Sequence, residues 1–79
     1  MSREEIFGKL NEIFRDVFDD ETIEVKEETT SADIEGWDSL THISLIAAVE
    51  EEFGFKFQMK DVISMKKVGD MVDIIEEEA

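Results

Sequence analysis

Hydrophobic positions gather into three helical stretches separated by segments that keep no helical period. Ile6, Leu10, Ile13, Phe14, Val17 and Phe18 recur at steps of three and four, which places them on one face of a helix predicted over about 3–18. Ser2 precedes Glu5 by the spacing of a capping box, in which each side chain satisfies the other residue's backbone N–H. A second helix is predicted from Ser39 to Phe53, with Leu40, Ile43, Ile46, Ala47 and Phe53 as its stripe and Leu45 and Val49 widening it. Gly54 is placed to close it in a left-handed conformation. Glu50, Glu51 and Glu52 crowd this C-terminus against the dipole preference for cations, so they are expected to serve something other than helix stability. The last helix is predicted at about 66–77, with Val68, Met71, Val72 and Ile75 facing inward. Gly69 inside it costs about 1 kcal/mol relative to alanine, and close helix packing is the expected reason for it.

Between the first two helices, "DDETIEVKEETTSADIEGWD" mixes acids, threonines and isolated apolar residues. Ile23, Val25, Ile34 and Trp37 are expected to pin this connection to the core, and persistent long loops are often functional. "FKFQMKDVI" begins with strand-like alternation, but a lone strand cannot form a sheet. A short helical turn at about 59–63 is expected instead. The predicted fold is all-α, a four-helix bundle of three main helices plus one short one, with a long first loop, as a single domain over 1–79. Phe14, Phe53, Met59, Met65, Met71 and Ile75 read either as ordinary core or as an interior that parts to shelter an apolar chain, which pliable methionines would ease.

Composition narrows the chemistry. The 79 residues include no cysteine, which removes disulfides, thiolate catalysis and the usual structural zinc sites. At 42% hydrophobic, the chain can build a compact core. Its 22 acidic and 8 basic residues give a net charge of −14, which repels nucleic acid and anionic membranes and favours basic protein patches or cations. No apolar run is long enough to cross a bilayer, and "MSREEIFGKL" lacks the pattern of a secretory signal. A cytoplasmic monomer without membrane insertion is therefore expected.

The junction "EGWDSLTH" admits several chemistries. With Gly36 at the sixth position of a calcium loop, Ser31, Asp33, Glu35 and Ser39 would fill ligand positions, but His42 would stand where a bidentate glutamate is required. A hydrolase would pair Ser39 with His42, yet Asp38 is adjacent in sequence and points elsewhere, and Gly-Trp-Asp-Ser-Leu lacks the glycine-flanked nucleophile elbow. His42, the single histidine, is expected to face solvent from the helix. Simple capping by Asp38, with Ser39 in the first turn, fits but leaves the long loop, Trp37 and the acidic helix end unexplained. An attachment site uses all of them. A serine there exposes its hydroxyl beside free backbone N–H groups, where the helix dipole favours a phosphodiester.

"GWDSLTHISLIAAVEEEFGFKF" closely resembles the signature of the acyl carrier protein family: a D-S-L triplet, an apolar-rich helix and then E-E-x-F. Length, acidity, the long first loop and "KKVGDMVDII" extend the likeness over the whole chain. The resemblance implies that a phosphopantetheinyl transferase moves phosphopantetheine from coenzyme A onto Ser39, and that acyl groups ride as thioesters on the arm's thiol. It implies no catalysis by the chain itself. Asp38 matches the acidic residue that helps modifying enzymes find the serine. Leu40, Ile43 and Ala47 match exposed apolar positions that touch partners. Glu50 and Glu51 match acids that meet basic docking patches on ligases, synthases or acyltransferases of fatty-acid, lipid or polyketide-type synthesis. An aminoacyl or peptidyl carrier, or an acidic interaction module without the prosthetic group, are the alternatives. Thr41, His42 and Ser44 stand where carriers of bulk fatty-acid synthesis usually have acids, and Trp37 replaces a small or aliphatic residue. Both departures point toward specialised partners.

Overall fold

A computed structural model describes residues 1–79 as four helices and no strand: α1 (Arg3–Val17), α2 (Ser39–Phe53), α3 (Met59–Ser64) and α4 (Val68–Glu78). α1 packs against both α2 and α4. The core is one cluster built from Ile6, Leu10, Ile13 and Phe14 of α1, Leu45, Ile46 and Val49 of α2, and Val68, Met71, Val72 and Ile75 of α4. The four-helix bundle predicted from the sequence is therefore the fold observed.

The capping box at α1 is present. The Glu5 N–H donates to Ser2 Oγ at 3.2 Å, and the Ser2 N–H donates to Glu5 Oε1 at 3.2 Å. At the far end of α2, Gly54 takes φ 72°, the left-handed geometry that a glycine cap supplies without steric cost.

The long loop over residues 18–38 is fastened at both ends and in the middle. Val25 and Ile34 are buried in the core, and Ile23 and Trp37 pack against it, as their isolated positions predicted. The Val25 N–H donates to Asn11 Oδ1 at 2.7 Å, which ties the loop to α1. The same loop also closes α4. The N–H groups of Val68 and Gly69 donate to the carbonyls of Thr29 and Glu27 at 2.8 and 2.9 Å. Two donors of the first helical turn, which no intrahelical bond can satisfy, thus find partners in the loop.

Several expectations are corrected. α4 starts at Val68, because the N–H groups of Lys66 and Lys67 turn to Asp70 Oδ2 at 3.0 and 3.3 Å and end the preceding segment there. Gly69 is needed for close approach, but its neighbour is the loop and not a helix: a Cβ at Gly69 would lie 2.8 Å from the Glu27 carbonyl oxygen. Met59 is not interior; it is 74% exposed at the start of α3, a helix with no fully buried residue. The stripe predicted for α2 is mostly the outward one. Leu40 and Ile43 are 76% and 66% exposed and Ala47 is exposed, while Leu45, Ile46 and Val49 form the buried face. α2 is apolar nearly all round, so periodicity alone does not say which arc meets α1.

Candidate functional site

The loop–helix junction is built by a reciprocal cap. Asp38 Oδ1 accepts the N–H groups of Leu40 and Thr41, each at 2.9 Å, while Thr41 Oγ1 accepts the Asp38 N–H at 2.8 Å. The Thr41 hydroxyl also donates to the Gly36 carbonyl at 2.7 Å, which fastens the last turn of the loop to the helix. Gly36 takes φ 89° there, a backbone geometry that glycine adopts freely. The N–H of Thr41 foremost, with that of Leu40, holds the Asp38 carboxyl below the usual range, so Asp38 stays ionised at the helix N-terminus. Thr41 was not singled out from the sequence as a cap. Its spacing from Asp38 is that of a capping box, but the fourth residue is threonine and not glutamate or glutamine.

Between Asp38 and Thr41, Ser39 is left free. It is exposed at the first position of α2, and its hydroxyl makes no hydrogen bond within the chain. The backbone N–H groups of the next two residues are taken by Asp38 and that of His42 by the Asp38 carbonyl, so Ser39 keeps the uncapped N–H of the first turn. An unbonded hydroxyl beside an unbonded N–H, at the positive end of a helix, suits a covalently attached phosphodiester.

His42 does not face solvent as expected. It is half-buried, and its Nδ1 accepts the Trp37 indole N–H at 3.1 Å with the rings stacked 5.9 Å apart. Its other nitrogen therefore carries the proton of the neutral ring. With Nδ1 engaged by Trp37 and no bond to Ser39, the pair is not arranged for nucleophilic catalysis. Trp37 in turn stands edge-on to Phe14 at 5.2 Å and tilted to Phe18 at 6.2 Å, so this side of the junction is anchored in the core.

The candidate partner residues lie on the outward side of α2. Leu40, Ile43 and Ala47, spaced three and four apart, share an exposed stripe that runs from Ser39 toward Glu50 and Glu51. The terminal glutamates divide their work. Glu50 is half-buried and its Oε2 accepts the Phe57 N–H at 2.7 Å, fixing the turn after α2. Glu52 pairs with Lys9 of α1 at 3.2 Å. Glu51 is exposed and forms no ion pair within the chain. The acids that oppose the helix dipole are thus partly structural, a role their sequence position did not reveal.

A cavity of about 260 Å³ opens beside Ser39, bordered by Trp37, Asp38 and His42 on one side and by residues from Val62 to Met71 on the other. Lys66 and Lys67 stand on its edge. The sequence placed both in the stretch that resembles carriers but gave neither a role at this junction.

The profile of the phosphopantetheine attachment site family matches residues 8–75, a span that contains this junction. The chain is similar to the acyl carrier protein of Coprothermobacter proteolyticus, 39% identical over 79 aligned positions that span 96% of this chain and 93% of that one. It is equally similar, at 39% over 75 positions, to the acyl carrier protein of Thermotoga maritima, covering 95% of this chain and 93% of that one. Its fold superimposes on the solution structure of the holo acyl carrier protein from Geobacter metallireducens with a TM-score of 0.86 at 39% identity, over 91% of this chain and 83% of that one.

Proposed function

The chain belongs to the acyl carrier protein family, and from that membership we propose that Ser39 is the residue that takes the phosphopantetheine arm. It is a carrier and not an enzyme, and it holds acyl groups on a covalently attached phosphopantetheine. The arm supplies a terminal thiol for thioester chemistry that a cysteine-free chain cannot perform with its own side chains.

The observation that carries the assignment is the free Ser39 hydroxyl, held outward by the Asp38–Thr41 cap. In loading, the Ser39 oxygen forms a bond to the pantetheine-side phosphorus of coenzyme A. The bond from that phosphorus to the nucleotide half breaks, and the hydroxyl proton passes to a base of the transferase. Asp38 then performs two tasks: it keeps the first turn of α2 folded around Ser39, and it presents a fixed negative charge beside it. No local base is needed, which agrees with a His42 already bound to Trp37.

Leu40, Ile43 and Ala47 form the apolar part of the docking stripe, and Glu51 supplies charge for basic patches on the transferase and on ligases, synthases or acyltransferases. Glu50 contributes charge from a position fixed by its bond to Phe57. Such long-range attraction speeds encounter and weakens with salt, which suits a shuttle that must also leave. We place this work in the cytoplasm, in a monomer whose one carrier domain spans 1–79.

Incubation with a broad-specificity phosphopantetheinyl transferase and coenzyme A, read by intact mass, tests the assignment. The expected result is a gain of one phosphopantetheine that disappears in Ser39→Ala. Loading at another residue, or no gain under conditions that load a control carrier, overturns it.

A further inference from the structure

We propose that His42 is a positioning residue for the loading of Ser39: uncharged, it holds Trp37 and so fixes the turn that carries the serine, and on taking a proton it lets that turn go. This rests on the Ser39 assignment, since loading is the reaction being gated.

Geometry carries the first step. Two bonds tie the end of the long loop to the start of α2, and each spans Asp38 and Ser39. One runs from the Thr41 hydroxyl to the Gly36 carbonyl at 2.7 Å, the other from the Trp37 indole N–H to His42 Nδ1 at 3.1 Å. The second also reaches the core. Trp37 stands edge-on to Phe14 at 5.2 Å, and Phe14 is fully buried. His42 thus links the exposed serine turn, through one indole, to the buried face of α1.

The bond exists only while Nδ1 keeps its lone pair. A proton taken from solvent onto Nδ1 occupies that pair, so the imidazolium N–H and the indole N–H face each other as two donors with no acceptor between them. Histidine is the side chain that ordinarily changes charge near neutral pH, and this chain has one. The charged groups around its cavity are Asp38 from the junction and Lys66 and Lys67 from the segment before α4. From the α1 side Phe14 and Phe18 stand behind Trp37, and the next residues on the same side of α2, Leu45 and Ile46, are apolar and buried. The two lysines and the positive end of α2 oppose a charged ring. Asp38 attracts it, but its carboxylate already accepts the N–H groups of Leu40 and Thr41. Pairing with the imidazolium draws Asp38 from that cap, so either course loosens the turn around Ser39.

The first test uses the unmodified full-length chain, in which one tryptophan and one histidine make the resonances unambiguous. Between about pH 8 and about pH 5, the ring signals of His42 follow its titration. The Trp37 indole N–H is expected to lie downfield and exchange slowly above the His42 midpoint, and to move upfield and exchange faster below it, along the same curve. The second test compares initial rates of loading from coenzyme A by a broad-specificity transferase in the parent chain and in His42→Asn, with Ser39→Ala as the blank. The asparagine amide oxygen takes the place of Nδ1 and does not titrate, and the ratio of the two rates cancels the transferase's own pH dependence. At carrier concentrations well below saturation, the ratio of parent to variant is expected to be near one above the midpoint. One pH unit below it, where about one-tenth of His42 stays neutral, the ratio is expected to fall toward about one-tenth. His42→Phe, which keeps a ring without an acceptor, is expected to load slowly throughout. An indole signal indifferent to His42, a ratio constant with pH, or His42→Phe loading like the parent above the midpoint overturns the switch and leaves the attachment site standing. A chain that does not load at Ser39 overturns both.

Discussion

Ser39 is held outward by the residues on either side of it. Asp38 and Thr41 exchange two hydrogen bonds donated by their backbone N–H groups, and the Thr41 hydroxyl donates back to the Gly36 carbonyl. In Thr41→Val the cap loses its reciprocal half and the link to Gly36, so loading by the transferase is expected to slow more than the melting temperature falls; parallel kinetics and calorimetry check this. Asp38 also sets a pH dependence. Its folded-state pKa is depressed, chiefly by the Thr41 N–H, so its contribution is complete above the unfolded value of about 4. That contribution is lost as pH falls through the lower folded value. Asp38→Asn keeps a good cap without the titration, and its acid-unfolding curve is expected to be flatter below about pH 4. Two glycines separate propensity from packing. A Cβ at Gly8 meets nothing within 4 Å, whereas one at Gly69 meets the Glu27 carbonyl at 2.8 Å. Gly8→Ala is expected to stabilise by about 0.4–1 kcal/mol, and Gly69→Ala to destabilise by about 1–3 kcal/mol despite the better helix former. Urea denaturation of both decides it.

Each helix carries a different share of the work. α1 and α4 are ordinary amphipathic helices, and their buried faces were legible from spacing alone: Ile6, Leu10, Ile13 and Phe14 in one, Val68, Met71, Val72 and Ile75 in the other. α2 was only half legible. Its apolar residues cover most of its circumference, and the stripe chosen by spacing proved to be mostly the exposed side. The likeness to carriers had assigned Leu40, Ile43 and Ala47 to the outside for a different reason, and the structure exposes all three. The two faces of α2 are expected to fail differently. Ile46→Ala removes buried methylenes and should cost about 2–5 kcal/mol of stability. Ile43→Ser should leave the melting temperature nearly unchanged and slow loading by the transferase. Equal loss of stability in both variants would contradict this division of faces.

At the scale of the whole molecule, the balance is between a modest core and strong self-repulsion. The net charge of −14 is spread over a small body, and few of its acids are neutralised within the fold. Arg3 is the main exception. Its guanidinium joins Glu27 of the loop to Asp73 and Glu76 of α4, bringing three separate segments to one point on the surface. These exposed pairs weaken with salt, but so does the repulsion among the many unpaired carboxylates, and the second effect involves more charges. The melting temperature is therefore expected to rise as salt is added from low ionic strength. A fall over the same range would mean that the Arg3 cluster outweighs the repulsion.

The sequence by itself determined the helices, their caps at Ser2 and Gly54, the loop's anchors at Val25 and Ile34, and the serine at the head of α2. These follow from local spacing and backbone chemistry, which act within a few residues and survive in a one-dimensional pattern. Tertiary structure alone decided which arc of α2 is buried, that His42 turns to Trp37 instead of solvent, and that Glu50 caps the turn at Phe57. It also decided that the long loop closes the N-terminus of α4 and that Lys66 and Lys67 stand beside Ser39. Each of these depends on groups brought together by the packing of separate segments. Hydrophobic burial is proportional to area and has no direction of its own, so a pattern shows that a face is apolar and not what it will meet.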